Sequence, residues 1–260
     1  MQLKEITHWN EVLKKPFKNV KFFEKGHKYI IEGEEHRDIK SVSSLMKYFY
    51  EPFDTEKIAL QWATARNLEV DDVKLAWQGE GEISTTHGSK VHLFAEDYVK
   101  WKYFNNKKRP IVFDKQSLGA LQFINDLPSY LIPVATELVM YSPTHWYSGT
   151  CDGILFNTQN NKFVIFDYKS NNEIEHKGYF KKPSLLNINK KHNLIQDNLG
   201  KYSVQFSLYH LLLEEAGFDI QGRILVHLQE DKKNKKLYKT YKTKDLRVDL
   251  KSWLSKKEYL

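Results

Sequence analysis

Apolar positions change their period along this chain, and each change marks an element. Two apolar-rich runs, 20–23 and 27–31, flank Glu24-Lys25-Gly26 and predict a small β-hairpin. From residue 41 to about 104 the spacing is helical. Ser41 or Ser43 can cap a helix through Tyr48, Thr55 can cap one through about Ala65, and Asp71-Asp72 can open a short third helix. A longer helix follows from about Thr86, with Val91, Ala95, Tyr98 and Trp101 or Lys102 on one stripe. Another spans 114–127 and stops at Pro128. The period then falls to two. Segments 136–141, 147–156 and 163–169 predict a three-stranded meander with turns at 142–145 and 157–162. Residues 171–199 are polar and rich in Lys and Asn, and predict a long loop of the kind often tied to function. A helix at 200–216 ends at Gly217, strands at 223–229 and 237–241 enclose a charged turn, and a last helix covers 246–257. No linker splits this order of elements, which predicts an α/β fold with an N-terminal hairpin and helical extension.

Composition narrows the classes. With 41% apolar residues in 260, the chain can build an ordinary core and is not a disordered one. A single cysteine, Cys151, excludes an internal disulfide and any cysteine-rich zinc or iron–sulfur site, and points to a reducing compartment. The first residues lack the apolar core of a secretory signal, and no run approaches a membrane span, so a cytoplasmic protein with no membrane partner is expected. The net charge of +7 permits a nucleic-acid partner without requiring one.

The predicted hairpins allow a register argument. A symmetric turn between Gln159 and Asn160 pairs residues whose numbers sum to 319, so Asp152 faces Asp167. Like charges placed so are destabilising, and Asp167 ends the apolar run Phe163-Val164-Ile165-Phe166, where an unpaired carboxylate is costly. A turn between Pro143 and Thr144 gives a sum of 287, which sets Glu137 opposite Thr150 and diagonal to Asp152. Three carboxylates then share one face, and Lys169, two residues after Asp167, joins them. A one-residue bulge would break this convergence. An isolated Asp-x-Lys at a strand end is an ordinary surface ion pair. Hard oxygen ligands gathered beside one ammonium instead suit Mg²⁺ or Mn²⁺ with a lysine near the attacking water.

Two helices flank this face. His92 and Glu96 stand at i, i+4 at the edge of the Val91/Ala95/Tyr98 stripe, where the imidazole can serve either as a metal ligand or as a partner of its own helix's glutamate. Gln205 and Tyr209 are likewise i, i+4, with Tyr202 a turn earlier, beside the core stripe Val204, Leu208, Leu211 and Leu212.

In this order and spacing the residues resemble the PD-(D/E)XK nuclease superfamily, in its RecB-like exonuclease branch. The resemblance rests on Gly88-Ser89-Lys90-Val91-His92 with Glu96, then Glu137, Gly149-Thr150-Cys151-Asp152-Gly153, Phe166-Asp167-Tyr168-Lys169-Ser170, and Gln205-Phe206-Ser207-Leu208-Tyr209. It covers about residues 85–230, and segment 27–77 looks similar, less specifically, to phage-type and mitochondrial genome maintenance exonucleases. The proline of the name is absent, with Thr150-Cys151 before Asp152, and the lone cysteine excludes the iron–sulfur variants.

The resemblance implies a restriction-endonuclease-like core at 85–260, with a mixed central β-sheet flanked by helices and the extension 1–84 packed on it. It implies a Mg²⁺- or Mn²⁺-dependent deoxyribonuclease, an exonuclease on linear or single-stranded DNA, working with a recombination or replication protein in a cytoplasm, including that of a phage host. His92, Asp152, Asp167 and the Tyr168 carbonyl would hold the metal, and Glu137 would join them directly or through water. Lys169 would act on the attacking water, Gln205 and Tyr209 would position the strand or Lys169, and Ser170 and Asn171 would touch a phosphate. A structure-specific endonuclease and a non-catalytic DNA-binding module on the same fold are the alternatives. Tyr202 and the basic residues Lys177, Lys181 and Lys182 are further candidates for DNA contact, as are Lys190-Lys191-His192 and Lys107-Lys108-Arg109. Trp62, Trp77, Tyr48 and Tyr50 can either stack on bases or fill the core.

Overall fold

The computed structural model describes residues 3–50, 52–171, 173–174, 197–229, 232–233 and 235–256. A mixed sheet of six strands forms its centre, with helices on both faces. The predicted meander is present as β4 (Leu131–Tyr141), β5 (Tyr147–Asn157) and β6 (Lys162–Lys169), all antiparallel. A parallel neighbour for β6 needs a crossover, and helix α6 (Asn198–Glu215) supplies it before β7 (Ile220–His227). An edge strand, β8 (Lys239–Lys242), pairs antiparallel to β7. Two residues, β3 (Lys40–Ser41), run parallel to the start of β5. The predicted hairpin, β1 (Val20–Phe23) and β2 (Lys28–Ile31), forms a separate two-stranded sheet.

The central strands are apolar on both faces because both faces are covered. Leu155, Val164, Phe166, Tyr168 and Val226 belong to one core with α4 (Val70–Tyr103) and α5 (Lys115–Asn125). Ile154, Phe156, Phe163, Ile165 and Leu225 belong to the other, with α1 (Leu3–Lys14), α6 and α7 (Arg247–Ser255). The remaining helices, α2 (Val42–Met46) and α3 (Thr55–Arg66), lie in the N-terminal extension. Side-chain caps set several helix starts. Asp114 accepts the Ser117 N–H at 2.7 Å at α5, and Asp197 accepts the Gly200 N–H at 2.6 Å at α6. The first residue of α3 is Thr55, but Asp54 caps it by accepting the Lys57 N–H at 3.0 Å.

Two elements differ from the sequence expectation. The segment read as a short helix followed by a longer one is the single 34-residue helix α4. Gly79 and Gly81, inside it, each cost about 1 kcal/mol against alanine. Packing of Val73 beside Ala59 and Ala63 of α3 at one end, and of Val91 to Val99 in the core at the other, outweighs that loss. Helix α1 was not expected, because it buries only Ile6 and Leu13 and so shows a thin apolar stripe. Its Trp9 ring stacks on Phe156 at 4.4 Å, and Asn10 donates to the Val134 carbonyl at 2.8 Å. Among the described residues no helix is long and apolar enough to cross a membrane.

Candidate functional site

The site grows from a change of partner along β5. Residues 153–157 of β5 pair with β6, and Tyr147 and Ser148 pair with β3. The opposite edge of β5 is taken by β4 from Ser148 to Asn157. Residues 149–152 therefore face an opening between β3 and β6. The Asp152 carboxylate reaches across it and accepts the Tyr168 N–H at 2.6 Å. The register sum of 319 holds in all five β5–β6 pairs, and the ladder ends at Gly153↔Phe166, one step short of Asp152 and Asp167.

The second register is shifted by two. From Ala135 to Tyr141 the β4–β5 pairs sum to 289, as in Val139↔Thr150 and Leu138↔Cys151. The loop between Tyr141 and Tyr147 is longer than a two-residue turn, and in it Trp146 takes a left-handed conformation at φ 54 under the Arg37 guanidinium. An even shift keeps the faces and brings Glu137 to the level of Asp152 itself, where the expectation had Thr150. Alternation then breaks at this level in both strands. Ala135 and Leu138, three residues apart, lie in the same core, as do Cys151 and Ile154. Glu137 absorbs the change with φ 46, a conformation that costs a non-glycine residue about 1–3 kcal/mol and tends to occur at functional sites. The three acids are thus brought together, but not as one row on a regular face.

Helix α4 supplies the imidazole. His92 Nδ1 lies 3.1 Å from Asp152 Oδ2. Ligand atoms of His92, Glu137 and Asp152 all lie within 4.8 Å of one another. Asp167 takes a different partner: its Oδ2 is buried against the Lys169 ammonium. Burial and the neighbouring Asp152 push the Glu137 carboxyl up to about 8. The same two causes push Asp167 up to about 6, against the pull of Lys169. Burial would lower His92, but Asp152 more than reverses this and lifts it to about 9. Burial alone would raise Asp152; His92 and Lys169 hold it below the usual carboxylate range. Lys169 is held charged, well above its ordinary value, by Asp167 and Asp152 against its own burial.

The other candidates separate into groups. Gln205 donates to the Tyr209 hydroxyl at 2.8 Å, and both line the cleft. The Tyr202 ring lies 4.8 Å from Lys169 Nζ, and its hydroxyl donates to Asn171 Oδ1 at 3.1 Å. Asn171 also donates to the Glu173 carbonyl at 2.9 Å, so its amide is bound within its own loop. Ser170 lines the cleft, and its carbonyl accepts from Gln116 at 2.9 Å. Tyr168 offers its N–H to Asp152, while its ring lies in the α4–α5 core. Glu96 pairs with Lys100 at 2.5 Å and not with His92. Trp62 and Trp77 meet edge to face at 6.1 Å, Tyr50 is buried, and Tyr48 is 46% exposed. Lys177, Lys181, Lys182 and Lys190-Lys191-His192 lie outside the described residues.

These groups open onto a cleft of about 830 Å³. Its far wall was not foreseen: Phe22, His27 and Tyr29 of the hairpin, with Ser41 and Ser43 of the α2 start. Tyr29 is tied to the site by a 3.1 Å hydrogen bond with Thr150, two residues before Asp152. The α4 wall was legible in part: His92 and Glu96 were expected on one helix face, and Thr85 and Ser89 continue it along the cleft at helical spacing.

No family model matches the chain, and no curated protein does. Among solved structures it is similar to one described as "Crystal structure of SSO0001", at 14% identity and a TM-score of 0.33, over 98% of this chain and 84% of that one.

Proposed function

We propose that the protein is a Mg²⁺- or Mn²⁺-dependent nuclease that hydrolyses phosphodiester bonds of DNA, acting as an exonuclease in DNA processing. One observation carries the reading: an imidazole and two carboxylates converge within 4.8 Å in an open cleft, with the buried Asp167 and its Lys169 partner beside Asp152. One nitrogen and several oxygens make a donor set suited to a divalent ion. Carboxylates crowded enough to push Glu137 up to about 8 are what a bound cation would relieve. His92, Glu137 and Asp152 would hold the ion, with Asp167 and the Tyr168 carbonyl adjoining. Bound there, it would polarise a phosphoryl oxygen and acidify water. Lys169 keeps its proton, so it serves as a fixed positive charge that offsets negative charge growing on the phosphate. Its ammonium is held by the Asp167 carboxylate and lies 4.8 Å from the Tyr202 ring. Gln205 and Tyr209, joined to each other, position the strand. The arrangement of motifs along the sequence supports the same reading.

The test is incubation of the native protein and Lys169→Met with Mg²⁺ or Mn²⁺ and end-labelled linear DNA, with closed circles as a second substrate. Metal-dependent loss of nucleotides from linear DNA by the native protein alone is expected. No cleavage of either substrate overturns the nuclease reading, equal cleavage by both proteins overturns the role of Lys169, and cutting of closed circles replaces exonuclease by endonuclease.

A further inference from the structure

A second hollow, of about 470 Å³, adjoins the catalytic cleft, and His27 lines both. Its walls come from the hairpin (Gly26, His27, Lys28), from residues 38–40 at β3, and from Ser44, Lys47 and Tyr48 after the start of α2. Three lysines stand in it against one acid, Asp38, which is already paired with Lys40 at 2.5 Å. Lys28 and Lys47 are exposed, and neither is ion-paired among the described residues. Tyr48 presents a ring that is 46% exposed and is braced from behind by Trp253 at 5.6 Å, a residue only 8% exposed. A rigid, half-exposed ring beside two unneutralised lysines combines a stacking surface with phosphate-binding charge. That pairing takes a single strand, because a duplex keeps its base faces covered. On the cleft side, Phe22 meets His27 edge to face at 5.0 Å.

We propose that this hollow is a single-strand subsite, which takes the nucleotides adjoining the one in the catalytic cleft. Lys28 and Lys47 bind their phosphates, and Tyr48 stacks on a base. Its link to catalysis rests on the nuclease reading; binding there does not.

Binding is read by fluorescence anisotropy in Ca²⁺ at several salt concentrations. The probes are labelled oligothymidylates of about 12 nucleotides and of about three, the shorter one filling the cleft alone. For the longer probe, Lys28→Gln/Lys47→Gln is expected to lower the slope of log affinity against log salt by about 1.4, near 0.7 per lost phosphate contact. Tyr48→Ala is expected to weaken it about tenfold, and Tyr48→Phe to restore it. The shorter probe should bind all variants alike. An unchanged slope for the longer probe, or an equal loss with the shorter, overturns the subsite. A duplex capped by hairpins at both ends that binds as tightly and loses affinity in the same variants overturns the single-strand assignment. Cleavage of the longer probe by the native protein in Mg²⁺ is scored separately. Lysine-dependent binding without cleavage leaves the subsite standing and removes the nuclease reading, whereas cleavage with lysine-independent binding does the reverse.

Discussion

Gly153→Ala probes the packing that holds the candidate metal ligands. Gly153 sits directly opposite Phe166 in the β5–β6 ladder. A Cβ there would lie 2.1, 2.3 and 2.9 Å from three atoms of the Phe166 ring. Carbon atoms in contact prefer about 3.5–4.0 Å, so the ring must move by about 1.5 Å. It has nowhere to go: Phe166 is fully buried, with Phe123 and Tyr168 each 5.5 Å away, ring to ring. Overpacking of this kind costs about 1–3 kcal/mol, and a clash with an immobile ring belongs at the upper end, about 3 kcal/mol. For a chain of this size that lowers Tm by about 6–12 °C. Because Gly153 follows Asp152 and Phe166 precedes Asp167, the strain acts on both carboxylates, and weaker binding of Mn²⁺ is expected with it. Thermal unfolding followed by circular dichroism, with calorimetric titration of Mn²⁺, measures both effects. Gly153→Ala/Phe166→Leu should recover part of the lost stability. A single variant that melts within about 1 °C of the native protein would refute the argument, and with it the close approach of ring to backbone at this pair.

Three further outcomes follow from the electrostatics. Lys169→Met leaves the buried Asp167, and Asp152 beside it, without the ammonium that faces them, and should cost about 3 kcal/mol in EDTA by urea unfolding. Mg²⁺ should stabilise this variant more than the native protein, and equal stabilisation of the two would count against a cation site beside Lys169. Binding of Mn²⁺ should release protons and strengthen as pH rises toward about 9, since Glu137, raised to about 8, and His92, raised to about 9, must both lose a proton to become ligands. Titrations in buffers of different ionisation enthalpy detect this, and pH-independent affinity between 6 and 8 would exclude Glu137 as a ligand. Elsewhere, His210 is buried and accepts a 2.9 Å hydrogen bond from Arg223, so burial and the cations Arg247 and Arg223 lower it to about 4. Below pH 6.5 the unfolded chain binds this proton and the folded one does not. The contribution of His210 is therefore complete above about 6.5 and is lost as pH falls to about 4, a slope that His210→Gln should flatten in urea midpoints.

Much of the fold was legible because local rules and tertiary burial agreed. The run Phe163–Phe166 is apolar on both faces because a core lies against each, the leucines of 208–213 pack into one of those cores, and the turn at Gln159-Asn160 set the β5–β6 register without help from the rest of the chain. The candidate residues His92, Glu137, Asp152, Asp167 and Lys169 were legible in the sequence, through the hairpin registers and the resemblance of their motifs. Their arrangement was not. Period-two reasoning cannot foresee a strand that changes partner, and the opening between β3 and β6 exists because β3, 107 residues earlier by the pairs Lys40↔Tyr147 and Ser41↔Ser148, reaches the same edge of β5. Nor does local sequence reveal that Glu137 adopts φ 46, a conformation held only by the packing on either side of it. Helix α4 passes its two glycines for the same reason, since contacts at its ends outweigh a local preference to break. Sequence alone determined the candidate residues and most of the strands and helices that bear them. Tertiary structure decided which side chains meet, because a carboxylate's partner is set by where strands part and which loops close, and those depend on contacts distant in the chain.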